Sequence, residues 1–165
     1  MPKGPAARVG DTVAHPLPPM LTGAGSPTVR IGKLPAWRGA PSGGVPALSA
    51  QKQAADQAIQ AAEIATLSAA GSPGYPAAYA AEQSLKTSTA AIMAPQVIAC
   101  AGMADLHTCS TPAPIPPHGV GVVIDGSKTV RINGLPACRM GDTILETLGP
   151  PNKITKGEPT VQIGG

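Results

Sequence analysis

The sequence predicts a mainly β fold, a small body of three short β-hairpin repeats about a pseudo-threefold axis, with an α-helical hairpin inserted into the middle repeat. Three observations predict it. The phrase Pro-Ala-x-Arg occurs as Pro5-Ala6-Ala7-Arg8, as Pro35-Ala36-Trp37-Arg38 and as Pro136-Ala137-Cys138-Arg139. A Thr-Val-x-Ile run occurs at 28–31, 129–132 and 160–163. Pro5 and Pro35 lie 30 residues apart but Pro35 and Pro136 lie 101 apart, so extra chain interrupts one repeat and not the others.

Each unit shares a frame of Pro-Ala-x-Arg, an aspartate turn, a loop and a Gly-x-x-Thr-Val-x-Ile strand. The strand alternates with period two, which buries one face of a short β-strand. Gly25-Ser26-Pro27 and Gly157-Glu158-Pro159 before the strands supply turn residues, and Asn133-Gly134 is the strongest hairpin signal in the chain. A unit of two or three such strands is too small to bury its own apolar face, so the units must pack on one another. We set the repeats at about 5–34, 35–135 and 136–165 of a single domain.

The insertion occupies about 39–101 and separates Arg38 from its partner Asp105. The segment SAQKQAADQAIQAAEIATLSAAG is rich in the best helix former and stops at Gly71. After the turn Ser72-Pro73-Gly74-Tyr75-Pro76, AAYAAEQSLKTSTAAIMA predicts a second helix ending near Pro95. Ile59, Ile64, Leu67, Leu85 and Ile92 are expected to face the partner helix or the strand body. The hairpin is a structural buttress in the first instance, and a docking surface for an effector or chaperone in the second.

Composition narrows the function. Of 165 residues, 20 are Gly, 20 are Pro, two are Tyr, one is Trp and none is Phe, too few large side chains for a bulky core around a deep pocket. The net charge of +3 comes from scattered residues, with no basic stripe or stacking platform, so nucleic acid is not an expected partner. No stretch resembles a secretory signal or reaches the ~18 apolar residues of a membrane span, since Glu82 and Lys86 interrupt the most alanine-rich part. The protein is expected to be cytoplasmic when made, and three cysteines, an odd number, suit a reducing compartment.

The chain has three histidines. His15 lies four residues after Asp11, His107 and Cys109 lie two and four after Asp105, and His118 precedes a Gly-Val-Gly strand. Loops of three like units converge at one end of their axis, bringing these residues together. Three imidazoles and a thiolate complete a tetrahedron of the kind that holds zinc, and such a site stiffens a tip with little core. The third unit offers Glu146 at the position of His15 and Cys109, a poor substitute for nitrogen or sulfur. Cys138 aligns with Ala7 and Trp37 as a buried apolar residue, and Cys100 has no partner at metal spacing. With the histidines used as ligands, no general base, nucleophile motif or phosphate loop remains, and no enzyme activity is expected.

These phrases resemble the PAAR-repeat proteins, which cap the spikes of contractile injection machines such as the type VI secretion system. The resemblance covers about 1–38 and 102–165. It implies a cone of short hairpins with zinc near its apex, held by position at His15, His107, Cys109 and His118. It also implies a base seated on a homotrimeric VgrG-type spike, one tip per trimer, and transient contact with the target membrane as the machine fires. The protein would be exported on firing without a signal peptide. The chain ends at its last strand, so no appended toxin is expected. The alternative is a toxin or effector adaptor whose active or docking surface is the insertion.

Overall fold

The computed structural model describes residues 3–112 and 116–164, so Gly165, the last residue of the expected third repeat, lies outside the described residues. Strands β1 (Gly4–Ala6), β2 (Arg30–Ile31) and β3 (Leu34–Pro35) precede helices α1 (Val45–Ser68) and α2 (Tyr75–Ala101). Strands β4 (Leu106–Pro112), β5 (Pro117–Val123), β6 (Arg131–Ile132), β7 (Leu135–Pro136), β8 (Thr143–Glu146), β9 (Asn152–Lys153) and β10 (Glu158–Ile163) follow. The fold is mixed: the body is built from short strands, while the two longest elements are helices.

Two local hairpins form where the sequence predicts them, β2 with β3 and β6 with β7, and they share one register, Arg30 opposite Pro35 and Arg131 opposite Pro136. The third pairing is not a hairpin. It joins β1 to β10, with Pro5 opposite Gln162, so the two ends of the chain close on each other. The remaining strands form one antiparallel sheet in the order β4-β5-β8-β9.

The three Pro-Ala-x-Arg segments meet directly. The amide of Ala7 donates to the carbonyl of Cys138 (2.9 Å), that of Cys138 to Trp37 (3.1 Å) and that of Trp37 to Ala7 (2.9 Å). Two residues on, Val9 donates to Pro35 (3.0 Å), Gly39 to Pro136 (2.9 Å) and Met140 to Pro5 (2.8 Å). Each segment is thus bonded to both others, and their polar backbone is satisfied at the centre of the molecule. Alanines fit here because the three chains approach closely: Ala6, Ala36 and Ala137 are fully buried, clustered with Ile31, Ile132 and Ile163, with Val29, Val130 and Val161 partly buried around them. Ala7, Trp37 and Cys138 belong to the next layer, with Val13, Leu21, Val123, Ile144 and Ile154. Burial pushes the Cys138 thiol well above its ordinary pKa, as suits the apolar role its position predicts.

The pairing of an arginine with an aspartate in each unit has a physical cause. In the first unit the Arg8 amide donates to Asp11 Oδ2 (2.7 Å) and the guanidinium grips the same carboxylate through Nε (3.2 Å) and Nη2 (3.0 Å). Arg139 holds Asp142 through its amide (2.9 Å) and Nε (3.1 Å). Arg38 makes the equivalent contacts to Asp105 across the helical insertion, at 2.8 Å from the amide, 2.9 Å from Nε and 2.7 Å from Nη2.

α1 and α2 pack as a hairpin whose base rests on the sheet. Leu48 of α1 and Met93, Val97 and Ala101 of α2 are buried with Ala40, Val122 and Leu145. Two expectations are corrected. First, α2 runs through Pro95 to Ala101. Pro95 is exposed, on the side away from Met93 and Val97, so its ring disturbs no packed face. Second, Ile64, Leu67 and Ile92 are exposed by more than half. The buried stripe of α2 is Glu82, Lys86, Thr89, Met93, Val97 and Ala101, recurring every three to four residues, and Ile92 sits one residue, about 100°, off it. The distal part of that stripe is polar: Lys86 bridges Glu63 and Glu82, each at 2.7 Å. Burial pulls the Lys86 ammonium down, but the two carboxylates more than offset it, and its pKa is raised. No helix is long and apolar enough to cross a membrane among the described residues.

Candidate metal centre

The loops and strand ends that follow the three aspartate turns bring their chemistry to one place. His15 Nδ1 lies 3.5 Å from Cys109 Sγ and 3.2 Å from His118 Nδ1. Glu146 Oε2 lies 3.0 Å from His15 Nδ1 and 2.9 Å from His118 Nδ1. One donor atom from each of His15, Cys109, His118 and Glu146 falls within 4.8 Å of every other, and this cluster could hold a metal ion.

The sheet supplies the placement. Cys109 pairs across β4 and β5 with Gly119, and His107 pairs with Gly121, which in turn pairs with Glu146 on β8. His107, Cys109 and Glu146 therefore project from one face, and Gly121 leaves room between them: a Cβ there would stand 2.8 Å from Glu146 Cγ. His118 would alternate to the other face of a regular β5. Gly119 has φ +83°, which only glycine adopts readily, and the turn it makes brings His118 round to the cluster. Gly149, at φ +73°, lies against that ring, where a Cβ would stand 2.6 Å from Cε1 and 2.7 Å from Cδ2.

His107 is placed differently from the other histidines. It is fully buried, its Nε2 is 3.9 Å from Glu146 Oε1, and neither ring nitrogen has a hydrogen-bond partner. Burial lowers its pKa, so it sits there as neutral imidazole. Burial also raises the Cys109 thiol, which therefore becomes a thiolate only with a compensating cation.

Asn152 escapes sequence reasoning altogether. Fully buried on β9, it donates from Nδ2 to Glu146 Oε1 (3.0 Å) and accepts at Oδ1 from the amides of Ala14 (3.0 Å) and His15 (3.1 Å). The one signal for this corner of the site is the frame itself. His15, Cys109 and Glu146 each lie four residues after the aspartate that closes their unit.

The donor set fits a tetrahedral metal. Bonds of about 2.0–2.1 Å to nitrogen and about 2.3 Å to sulfur place ligand atoms about 3.3 Å apart for two nitrogens and about 3.6 Å apart for nitrogen and sulfur. The four separations given above, from 2.9 to 3.5 Å, lie within a few tenths of an ångström of these values, and every pair lies within 4.8 Å. A divalent cation would offset the charge of the buried Glu146 carboxylate and of a Cys109 thiolate.

Compared with known proteins, residues 115–165 match the family model of the PAAR motif. No curated protein and no solved structure matches the chain.

Proposed function

From the PAAR motif carried at residues 115–165, we infer that this protein is the structural tip of a contractile injection machine, capping a homotrimeric VgrG-type spike with one copy per trimer. The observation that carries this reading is the mutual bonding of the three Pro-Ala-x-Arg segments, in which every segment donates to and accepts from its neighbours in the same way. Three like units joined in a closed ring approximate threefold symmetry, and a single chain of that symmetry matches the end of a trimer, where each unit meets one equivalent strand. The surface we assign to the spike is the ring of Val29, Val130 and Val161, the residues of the repeated strands that the Ile31, Ile132 and Ile163 cluster does not consume. Covering spike strand ends protects them from edge pairing, and the tip's work in piercing the target membrane is mechanical rather than catalytic.

We further propose that the metal is zinc, which would stiffen a point that has few large side chains. His15, Cys109 and His118 are ligands in this reading, with His107 completing the set that the family resemblance implies. Carried by the machine, the protein would leave the producing cell without a signal peptide.

A second reading has its own observation. Ile64, Leu67, Tyr75, Tyr79, Ile92 and Ile98 are exposed on the helical hairpin, more apolar surface than a buttress needs, which favours an adaptor for an effector or chaperone. Native mass measurement of the protein with its trimeric spike partner tests the first reading. We expect one chain per trimer, and loss of the complex when Val29, Val130 and Val161 are all changed to Asp. Three chains per trimer, or a complex indifferent to the valines but abolished by Ile64→Asp with Ile92→Asp, would overturn it in favour of the second.

A further inference from the structure

We propose that the base of the molecule is built for an acidic protein surface: the blunt end of the trimeric spike presents carboxylates that Arg30 and Arg131 take, with Lys3, Lys33 and Lys128 around them. This deepens the reading of the protein as a spike tip and rests on it.

Charges that are scattered along the sequence are sorted by pairing in the fold. Arg8, Arg38, Lys52, Lys86 and Arg139 each hold a carboxylate. Among the described residues the other seven of the twelve lysines and arginines make no ion pair, and on the acidic side only Asp125 has no cationic or imidazole partner. Five of the seven, Lys3, Arg30, Lys33, Lys128 and Arg131, are exposed and lie on or beside the strands that form the layer of Ile31, Ile132 and Ile163. Glu158 on those strands is already engaged, since Arg8 bonds its Oε2 and Thr160 Oγ1 donates to its Oε1 (2.7 Å). Free positive charge therefore surrounds the valine ring.

The two arginines are equivalent residues held in the same way. Arg30 follows Val29 and Arg131 follows Val130, and each guanidinium donates through Nη1 to the carbonyl of its own hairpin turn, Arg30 to Lys33 (3.1 Å) and Arg131 to Gly134 (3.0 Å). One bond steadies the side chain and leaves its other donors free. A steadied guanidinium loses less freedom on meeting a carboxylate, which it can grip through two nitrogens at once. The third unit differs: Gln162 stands there, and its Nε2 donates to the carbonyl of Pro159 (3.0 Å). Beside them, Lys3, Lys128 and Arg131 line a common cavity of about 750 Å³, whose other charged groups are Asp125 and the Arg139–Asp142 pair. That cavity has room for acidic side chains.

Exposed cations gathered in this way repel one another, and an acidic partner turns the repulsion into attraction. Charges at the edge of an apolar contact act mainly on the rate of association and on partner choice. The valines supply the contact and the cations steer the partner to it. Arginines clipped at fixed positions beside an apolar ring suit a protein surface with fixed carboxylates better than a fluid layer of lipid headgroups.

The test uses the full-length protein and the homotrimeric spike protein with which the complex of one chain per trimer is sought, with association followed by stopped-flow or a biosensor at low and high sodium chloride. The wild-type association rate should fall by about tenfold or more as salt screens the base. Changing both Arg30→Gln and Arg131→Gln, residues the frame accepts because Gln162 holds the equivalent place, should slow association at low salt by a similar factor and flatten its salt dependence, with folding checked by circular dichroism. Gln162→Arg should speed association. No complex at low salt would overturn this inference together with the tip reading. A complex whose association ignores salt and both arginine changes would overturn the inference alone and leave the tip reading standing. So would binding to phosphatidylserine vesicles that the paired Gln changes abolish while spike association is unaltered, since the cations would then serve a membrane.

Discussion

Arg38 and Asp105 are 67 residues apart in sequence, where the equivalent partners of the other two units are separated by three. Closing a flexible chain of that length costs about 3.7 kcal/mol by (3/2)RT ln n, so the second unit needs a strong local contact at the base of the insertion. The structure supplies one. Asp105 accepts three bonds from Arg38, all at 2.9 Å or less, and both side chains are nine-tenths buried. With its carboxylate beside it, the Arg38 guanidinium is held above its ordinary pKa. Asp105→Ala would leave that cation buried with only the Gly25 carbonyl, at 3.2 Å, and should cost about 3–5 kcal/mol, the range for removing one partner of a buried pair. For a domain of this size that lowers the thermal midpoint by about 6–20 °C, readable by calorimetry or circular dichroism. Adding Arg38→Met should recover part of the loss, because no unpaired charge then remains. A cost below about 1 kcal/mol for Asp105→Ala, the value of an exposed pair, would refute the claim that this contact closes the base of the insertion.

Two further outcomes are expected. Gly149→Ala forces a side chain onto a left-handed backbone and into the His118 ring, so it should lower stability by about 1–3 kcal/mol in chemical denaturation and weaken metal binding in the same protein; unchanged metal affinity would show that His118 can move without loss. Asp142 has its carboxyl raised by burial to about 6 from an ordinary 3.8, so the folded state holds the proton more tightly than the unfolded, and the stability this brings is present at low pH and lost as pH rises through about 6. The stability cost of Asp142→Asn should therefore be smaller at pH 7 than at pH 5, and a cost that grows with pH would contradict it.

Much of the local plan was legible in the residues. Three copies of Pro-Ala-x-Arg and the Asn133-Gly134 turn predict short hairpins and a helical interruption, and each of these depends on contacts close in sequence or repeated three times. The insertion was recognisable because alanine-rich helices form under their own propensity. What lay beyond reach was set by the register between elements distant in sequence. Which face of α2 is buried depends on where it docks against β5 and β8, and that docking selects Met93, Val97 and a polar Lys86 stripe over the more hydrophobic Ile92. The third strand pairing joins the two chain ends, and no local turn signal announces a partner more than 150 residues away. The metal corner divides in the same way. The offset of four residues marks His15, Cys109 and Glu146 as equivalents, but chemical preference alone ranks glutamate below histidine. Only the tertiary structure, by burying Glu146 and tying it through Asn152 to the backbone of His15, shows that its carboxylate stands among the donors.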